Sequence, residues 1–122
     1  MNSLDGVIPP NLEKCRKLQV LALSFNEFIG TLPRELANLT LPTKLSIPAL
    51  HLEALQLLGL HLNKLSGTLP PDLGHGTPIL EEFLCGENNL SDFISASISN
   101  SSRLRVLDLS GNSFTGPIPE SL

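Results

Sequence analysis

The chain has 122 residues, 41% hydrophobic and only 16% charged, with a net charge of −4. That composition gives enough apolar material for the core of one ordinary domain and excludes a disordered chain. The charge is spread along the sequence with no run of Lys or Arg that could follow a phosphate backbone, so nucleic acid is not an expected partner.

No apolar stretch approaches the roughly 18 to 20 residues of a membrane helix. The opening MNSLDGVIPPNLEKC has neither a basic leader nor an apolar signal segment. No membrane contact is expected from this segment itself. Trp and Tyr are absent and Phe numbers 5, which leaves an aliphatic core.

A pattern anchored on asparagine recurs along the chain. Leucine or another apolar residue stands eight, five and three residues before it; an apolar residue, Gly, an apolar residue and Pro stand two, four, six and seven after it. In chain order, Asn2, Leu4, Gly6, Ile8 and Pro9 form the trailing half of one repeat, a partial unit over 1–15. Around Asn26 the pattern is complete, with Leu18, Leu21, Leu23, Phe28, Gly30, Leu32 and Pro33, giving a repeat at about 16–38.

The next interval is irregular. Asparagine spacings along the array are 24, 37, 25 and 24 residues, and the excess falls at about 39–52, within LTLPTKLSIPALHLE. Pro42, Leu45 and Ile47 occupy the places of strand leucines before a missing asparagine at Leu50. Two readings stay open: a repeat that has lost its return half, or a loop inserted between regular coils. The segment is too short for a full coil, and Pro42 and Pro48 flank a strand too short to pair well, which favours the loop.

Around Asn63 the pattern is again complete, with Leu55, Leu58, Leu60, Leu65, Gly67, Leu69 and Pro70, at about 53–77. Around Asn88, at about 78–101, the apolar positions hold as Leu80, Phe83, Cys85, Leu90 and Ile94. Asp92 replaces the glycine there and Ser95 the proline. The last unit, about 102–122, is complete around Asn112: Leu104, Leu107, Leu109, Phe114, Gly116, Ile118 and Pro119.

Such a template has a direct physical meaning. Leu-x-x-Leu-x-Leu places alternate side chains of a short strand inward, and successive coils stack their strands about 4.8 Å apart as a parallel sheet. One coil cannot close a core. Stacking buries columns of leucine, each contributing roughly 1.5 to 3 kcal/mol when fully removed from water. The amides of Asn26, Asn63, Asn88 and Asn112 carry donor and acceptor together, suited to the backbone groups exposed where the chain turns inward. The expected fold is an α/β-type solenoid, a right-handed superhelix with short parallel strands on its concave face and irregular or 3-10 returns on its convex face.

LQVLALSFNEFIGTLPREL, LLGLHLNKLSGTLPPDL and LRVLDLSGNSFTGPIPESL resemble the plant-specific class of leucine-rich repeats. The stretch from Leu73 to Leu122 also resembles the ectodomains of plant leucine-rich-repeat receptor-like kinases, in the group with receptors for bacterial flagellin and elongation-factor peptides. The resemblance implies a non-catalytic module in defence or developmental signalling, on the extracellular side of the plasma membrane. Its implied partners are a peptide or protein ligand and a co-receptor, and the parent's Ser/Thr kinase is not in this chain. A second implied class is a secreted inhibitor similar to plant polygalacturonase-inhibiting proteins. The resemblance also implies paired-cysteine caps at the ends of complete arrays, and neither is among these residues. A partial array uncapped at both ends is therefore expected to aggregate or dimerise end to end when expressed alone; light scattering and calorimetry showing a monodisperse, cooperatively melting monomer would contradict this.

Function in such a solenoid is a surface, carried by strand positions between the buried leucines. These are Gln19, Ala22, Ser24 and Phe25; Gln56, Gly59, His61 and Leu62; Glu81, Leu84, Gly86 and Glu87; then Arg105, Asp108, Ser110 and Gly111. Phe25, Leu62 and Leu84 supply apolar contacts there, and His61, Glu81, Glu87, Arg105 and Asp108 polar ones. The acidic balance favours a basic partner.

Catalytic motifs are lacking. His51, His61 and His75 are irregularly spaced, and no HExxH, Gly-x-Ser-x-Gly or phosphate loop occurs. No cofactor or metal is expected. Cys15, eleven residues before Asn26, and Cys85, three before Asn88, both stand where the repeat buries an aliphatic residue; they lie at least two coils apart, about 10 Å along the stack and beyond the roughly 7 Å limit of a disulfide, so both are expected to be buried free thiols. Three glycosylation sequons begin at Asn38, Asn89 and Asn100, the first and last on convex returns.

Overall fold

The computed structural model describes residues 1–15, 17–38 and 55–122. The irregular segment at about 39–52 lies outside the described residues. In chain order the elements are β1 (Asp5–Val7), a 3-10 helix (Pro10–Lys14), β2 (Val20–Ala22), β3 (Glu27–Thr31), a 3-10 helix (Arg34–Asn38), β4 (Leu57–Gly59), β5 (Lys64–Gly67), α1 (Leu73–Gly76), β6 (Glu82–Leu84), β7 (Asn89–Phe93), a 3-10 helix (Ala96–Asn100), β8 (Val106–Asp108) and β9 (Ser113–Thr115).

The strands form two parallel sheets, β2-β4-β6-β8 and β1-β3-β5-β7-β9. In the four-stranded sheet the repeat is in register, so Leu21, Leu58, Phe83 and Leu107 stand in one row. The five-stranded sheet is staggered. Asp5 pairs with Glu27, Ile29 with Lys64, Ser66 with Asn89 and Ser91 with Ser113, a step of two template positions per coil. β2 pairs directly with β4 and β3 with β5, so the coils of Asn26 and Asn63 are immediate neighbours despite their long spacing.

Burial follows from stacking. In the middle coils Leu55, Leu58, Leu60, Leu65, Leu80, Phe83, Cys85 and Leu90 are 0–1% exposed. Leu18, Leu21 and Leu23 in one outer coil and Leu104, Leu107 and Leu109 in the other are only partly buried, because β2 and β8 each have a single neighbour in the sheet. The same residue type therefore contributes less to stability at the sheet edges than at its centre.

Glycine at the fourth position after asparagine meets two demands. Gly30, Gly67 and Gly116 sit at φ 79°, 79° and 78°, in the left-handed region. Each also lies under a side chain of the preceding coil: a Cβ would meet Val7 at 3.0 Å, Thr31 at 2.8 Å and Phe93 at 2.5 Å respectively. Asp92 adopts φ 72° at the equivalent place without glycine's freedom.

The returns depart from a uniform 3-10 pattern in one coil, where PPDLGHGTP forms the short helix α1. Its glycines explain how it fits. A Cβ on Gly76 would stand 1.5 Å from the Ala37 carbonyl oxygen, and one on Gly74 would stand 1.7 Å from that of Ser97. The return is wedged between backbones on both sides. Under it, Thr77 donates to the Leu73 carbonyl at 2.7 Å and Ser101 to the Thr77 carbonyl at 2.8 Å, a buried hydroxyl column.

Two substitutions test this packing. Asp92→Gly relieves a left-handed non-glycine residue and should raise stability by about 1 kcal/mol in denaturant unfolding. Gly76→Ala collides with rigid backbone and should lower it by roughly 3 kcal/mol or prevent folding. A neutral Gly76→Ala would show that α1 does not approach the preceding return so closely.

Candidate functional site: the outward face of the four-stranded sheet

The face is fixed by the asparagine amides. Asn63 Nδ2 donates to the carbonyls of Leu60 at 2.9 Å and His61 at 3.4 Å in its own coil, and to Leu23 of the preceding coil at 3.0 Å. Its Oδ1 accepts the Phe28 N–H at 3.0 Å. Asn88 repeats the set with Cys85, Gly86, Leu60 and the Leu65 N–H. Asn112 does so with Leu109, Ser110, Cys85 and the Leu90 N–H. Asn26 accepts from Leu4 and donates to Leu23 and Ser24.

To close around the amide, the residue just before each asparagine turns left-handed. Phe25, Leu62 and Glu87 have φ 59°, 55° and 52°, and Gly111 takes φ 61° in the last coil. A left-handed L-residue costs roughly 1–2 kcal/mol, so three coils retain a side chain where glycine would be unstrained. Phe25 and Leu62 are 43% and 41% exposed, and Glu87 is exposed over Gly111.

Backbone bonds carry the columns from coil to coil. Gln56 N–H donates to Gln19, Glu81 to Gln56 and Arg105 to Glu81, while Phe25 donates to His61, Leu62 to Gly86 and Glu87 to Ser110. The sequence-derived residues thus lie on one surface: Glu81, Leu84, His61 and Asp108 half-buried, Arg105 and Glu87 exposed. Phe25 and His61 meet edge to face with ring centroids 4.6 Å apart. Nδ1 of His61 is buried with no hydrogen-bond partner among the described residues, so packing against Phe25 positions the ring rather than a bond at that nitrogen.

Asp108 accepts hydrogen bonds from the Ser110 hydroxyl at 2.6 Å and the Ser110 N–H at 3.0 Å. Those bonds, with a smaller contribution from His61, hold its carboxyl below the usual range. Asp108 therefore stabilises the fold above the ordinary carboxylate range, and that contribution is lost as pH falls through its depressed value.

Sequence reasoning missed one column. Val20, Leu57, Glu82 and Val106 flank the inward row of Leu21, Leu58, Phe83 and Leu107, and Val20 and Val106 are 56% and 42% exposed. Strand alternation alone carries this signal, since residues on both sides of an inward leucine point outward. A groove of about 420 Å³ runs beside the face, lined by Leu62, Glu87, Gly111 and the ladder residues Asn26, Asn63 and Asn88, with Lys64 and Asn89 at its rim.

The expectation of two buried thiols requires correction. Cys85 is buried within the inward row, whereas Cys15 is exposed. Cys15 ends the Pro10–Lys14 helix. It stands eleven residues before Asn26, a place where Thr77 and Ser101 are buried in their coils; Cys15 is open because it begins an outer coil, whose Leu18, Leu21 and Leu23 are also only partly covered. Burial, aided by the Asp108 charge, pushes the Cys85 thiol up to about 12.

Asn89 and Asn100 are exposed, and Asn100 Nδ2 lies 3.2 Å from His75 Nε2. The Asn38 sequon runs into residues outside the described ones. Among the described residues no group of three or more His, Cys, Asp or Glu comes together as a metal site, and no helix is long and apolar enough to cross a membrane.

The sequence profile of the Leucine Rich Repeat family matches residues 17–39 and 103–122. No match among curated proteins is found. Among solved structures, the leucine-rich-repeat ectodomain of the Arabidopsis thaliana membrane receptor kinase GASSHO1/SCHENGEN3, in complex with CASPARIAN STRIP INTEGRITY FACTOR 2, is 35% identical with a TM-score of 0.85, over 99% of this chain and 13% of that one. The Arabidopsis thaliana BIR3–SERK2 complex gives 34% identity and a TM-score of 0.80, over 97% of this chain and 56% of that one. The Arabidopsis receptor kinase HAESA, in complex with the peptide hormone IDA and the co-receptor SERK1, gives 30% and 0.84, over 98% and 18%. The chain thus spans between about an eighth and just over half of the ectodomains it matches.

The thiols offer a direct check on the buried row. Ellman's reagent should titrate Cys15 at once in the native chain and Cys85 only after denaturation. Immediate reaction of both would mean that the inward row opens on the timescale of the assay.

Proposed function

We propose, for a chain that belongs to the leucine-rich repeats and has the fold of plant receptor-kinase ectodomains, that the outward face of its four-stranded sheet is a recognition surface for a peptide or protein ligand. The observation that carries this reading is the column Phe25, Leu62 and Glu87, held left-handed and solvent-facing where glycine would suffice. The GASSHO1/SCHENGEN3 ectodomain in complex with CASPARIAN STRIP INTEGRITY FACTOR 2 supports the same reading, and HAESA, in complex with a peptide hormone and a co-receptor, extends it to a co-receptor. The module performs no chemistry of its own. In its parent it stands on the extracellular side of the plasma membrane, where the exposed Asn100 and Asn89 are glycosylation sites, and Asn38 carries the third sequon.

Panning a displayed random-peptide library on the chain tests the reading. Retained peptides should lose binding on Leu62→Arg, which places a charge in the middle of the face, and keep it on Arg103→Ala, which alters an exposed turn on the return side. Equal loss with both variants, or with neither, would remove the sheet face from the binding site.

A further inference from the structure

The face is divided along the solenoid axis. Its first two coils present Gln19, Val20, Ala22, Ser24 and Phe25, then Gln56, Leu57, Gly59, His61 and Leu62, with no Asp, Glu, Lys or Arg among them. The next two carry Glu81, Glu82, Glu87 and Asp108 against the single base Arg105. Among the described residues no ion pair engages these carboxylates; the pair that is formed joins Lys64 to Glu27 on the other sheet. That pair also occupies the base at the rim of the groove beside Leu62 and Glu87.

We infer that this surface selects a short extended segment of opposite character at its two ends, an apolar or aromatic side chain over Phe25 and Leu62 and a basic side chain over Glu87, drawn also by the unpaired carboxylates of Glu81 and Glu82 further along the same coil. The inference rests on the recognition reading above and specifies the chemistry of the partner. Phe25 and Glu87 stand two coils apart, roughly 10 Å at about 4.8 Å per coil. An extended chain at about 3.3–3.6 Å per residue covers that distance between the first and fourth residues of a tetrapeptide. The side chains at both ends are pre-set. Phe25, Leu62 and Glu87 share the left-handed turn beside the asparagine ladder, so the apolar anchors and the carboxylate project from equivalent backbone positions on successive coils. Asp108 is already engaged by Ser110, which leaves the three glutamates as the free acceptors for a guanidinium or ammonium group.

End-blocked, fluorescently labelled peptides test this by anisotropy: Phe-Ser-Ser-Arg and its reverse, Phe-Ser-Ser-Ser, Ser-Ser-Ser-Arg and Phe-Ser-Ser-Glu. One of the two bipolar orders should bind at least roughly tenfold more tightly than either single-ended probe, and the acidic probe should bind weakest. The variant Glu81→Gln/Glu82→Gln/Glu87→Gln should reduce the bipolar probe to the level of Phe-Ser-Ser-Ser. It should also abolish the weakening seen between roughly 0.05 and 0.3 M salt. Phe25→Ser/Leu62→Ser should reduce the bipolar probe to the level of Ser-Ser-Ser-Arg and keep the salt dependence. Binding of Phe-Ser-Ser-Ser equal to that of the bipolar probes, with loss on Phe25→Ser/Leu62→Ser, would overturn the two-ended selectivity and leave the recognition surface standing. Failure of every probe, together with an empty random-library selection, would overturn both.

Discussion

The amides of Asn26, Asn63, Asn88 and Asn112 are clamps between coils. One Oδ1 accepts an N–H from the preceding coil, and one Nδ2 reaches carbonyls of its own coil and, from Asn63 onward, a carbonyl of the preceding one. The polar groups at the sharp inward turn are thereby satisfied without water. Leucine burial supplies most of the stabilisation but is non-directional; the amides set the distance and register at which the leucine rows meet. The two-residue stagger of the five-stranded sheet reflects the same clamp, because Oδ1 takes the N–H two positions past the previous asparagine.

Once the clamp fixes the backbone, the positions between the inward rows are released from structural duty. Gln19, Gln56, Glu81 and Arg105 share one backbone geometry and differ in charge and length. Variation there changes what the surface presents while leaving the coil intact, which is why recognition suits this architecture better than catalysis: the side chains form rows across a shallow face and do not converge on a point. The left-handed column is the exception to that freedom. Its backbone demand would be met most easily by glycine, as at Gly111, and a side chain at Phe25, Leu62 or Glu87 is retained against that preference.

Much of this was legible in the residues. The row of Leu21, Leu58, Phe83 and Leu107 and the parallel stacking of short strands follow from the spacing of leucine around asparagine. The outward column of Val20, Leu57, Glu82 and Val106 was overlooked because three of its four members are aliphatic, so side-chain type concealed a position that alternation alone reveals. Cys15 was misjudged for a related reason. Counting from Asn26 assigned it to a buried column, and Thr77 and Ser101 are indeed buried at that place, but Cys15 begins an outer coil that is covered on one side only. The helix α1 was also hidden, since it depends on two glycines whose value lies in the neighbouring backbones they admit.

The central claim is that the asparagine amide, and not leucine burial alone, sets the register of the coils. Denaturant unfolding of Asn88→Leu beside Asn89→Leu tests it most directly, because Asn88 is buried in the ladder and its neighbour is exposed. The account predicts a loss of roughly 2–3 kcal/mol for Asn88→Leu, which strands the Leu65 N–H and takes one of two donors from the Leu60, Cys85 and Gly86 carbonyls, and a change within about 0.5 kcal/mol for Asn89→Leu. Equal unfolding midpoints for the two variants would contradict it.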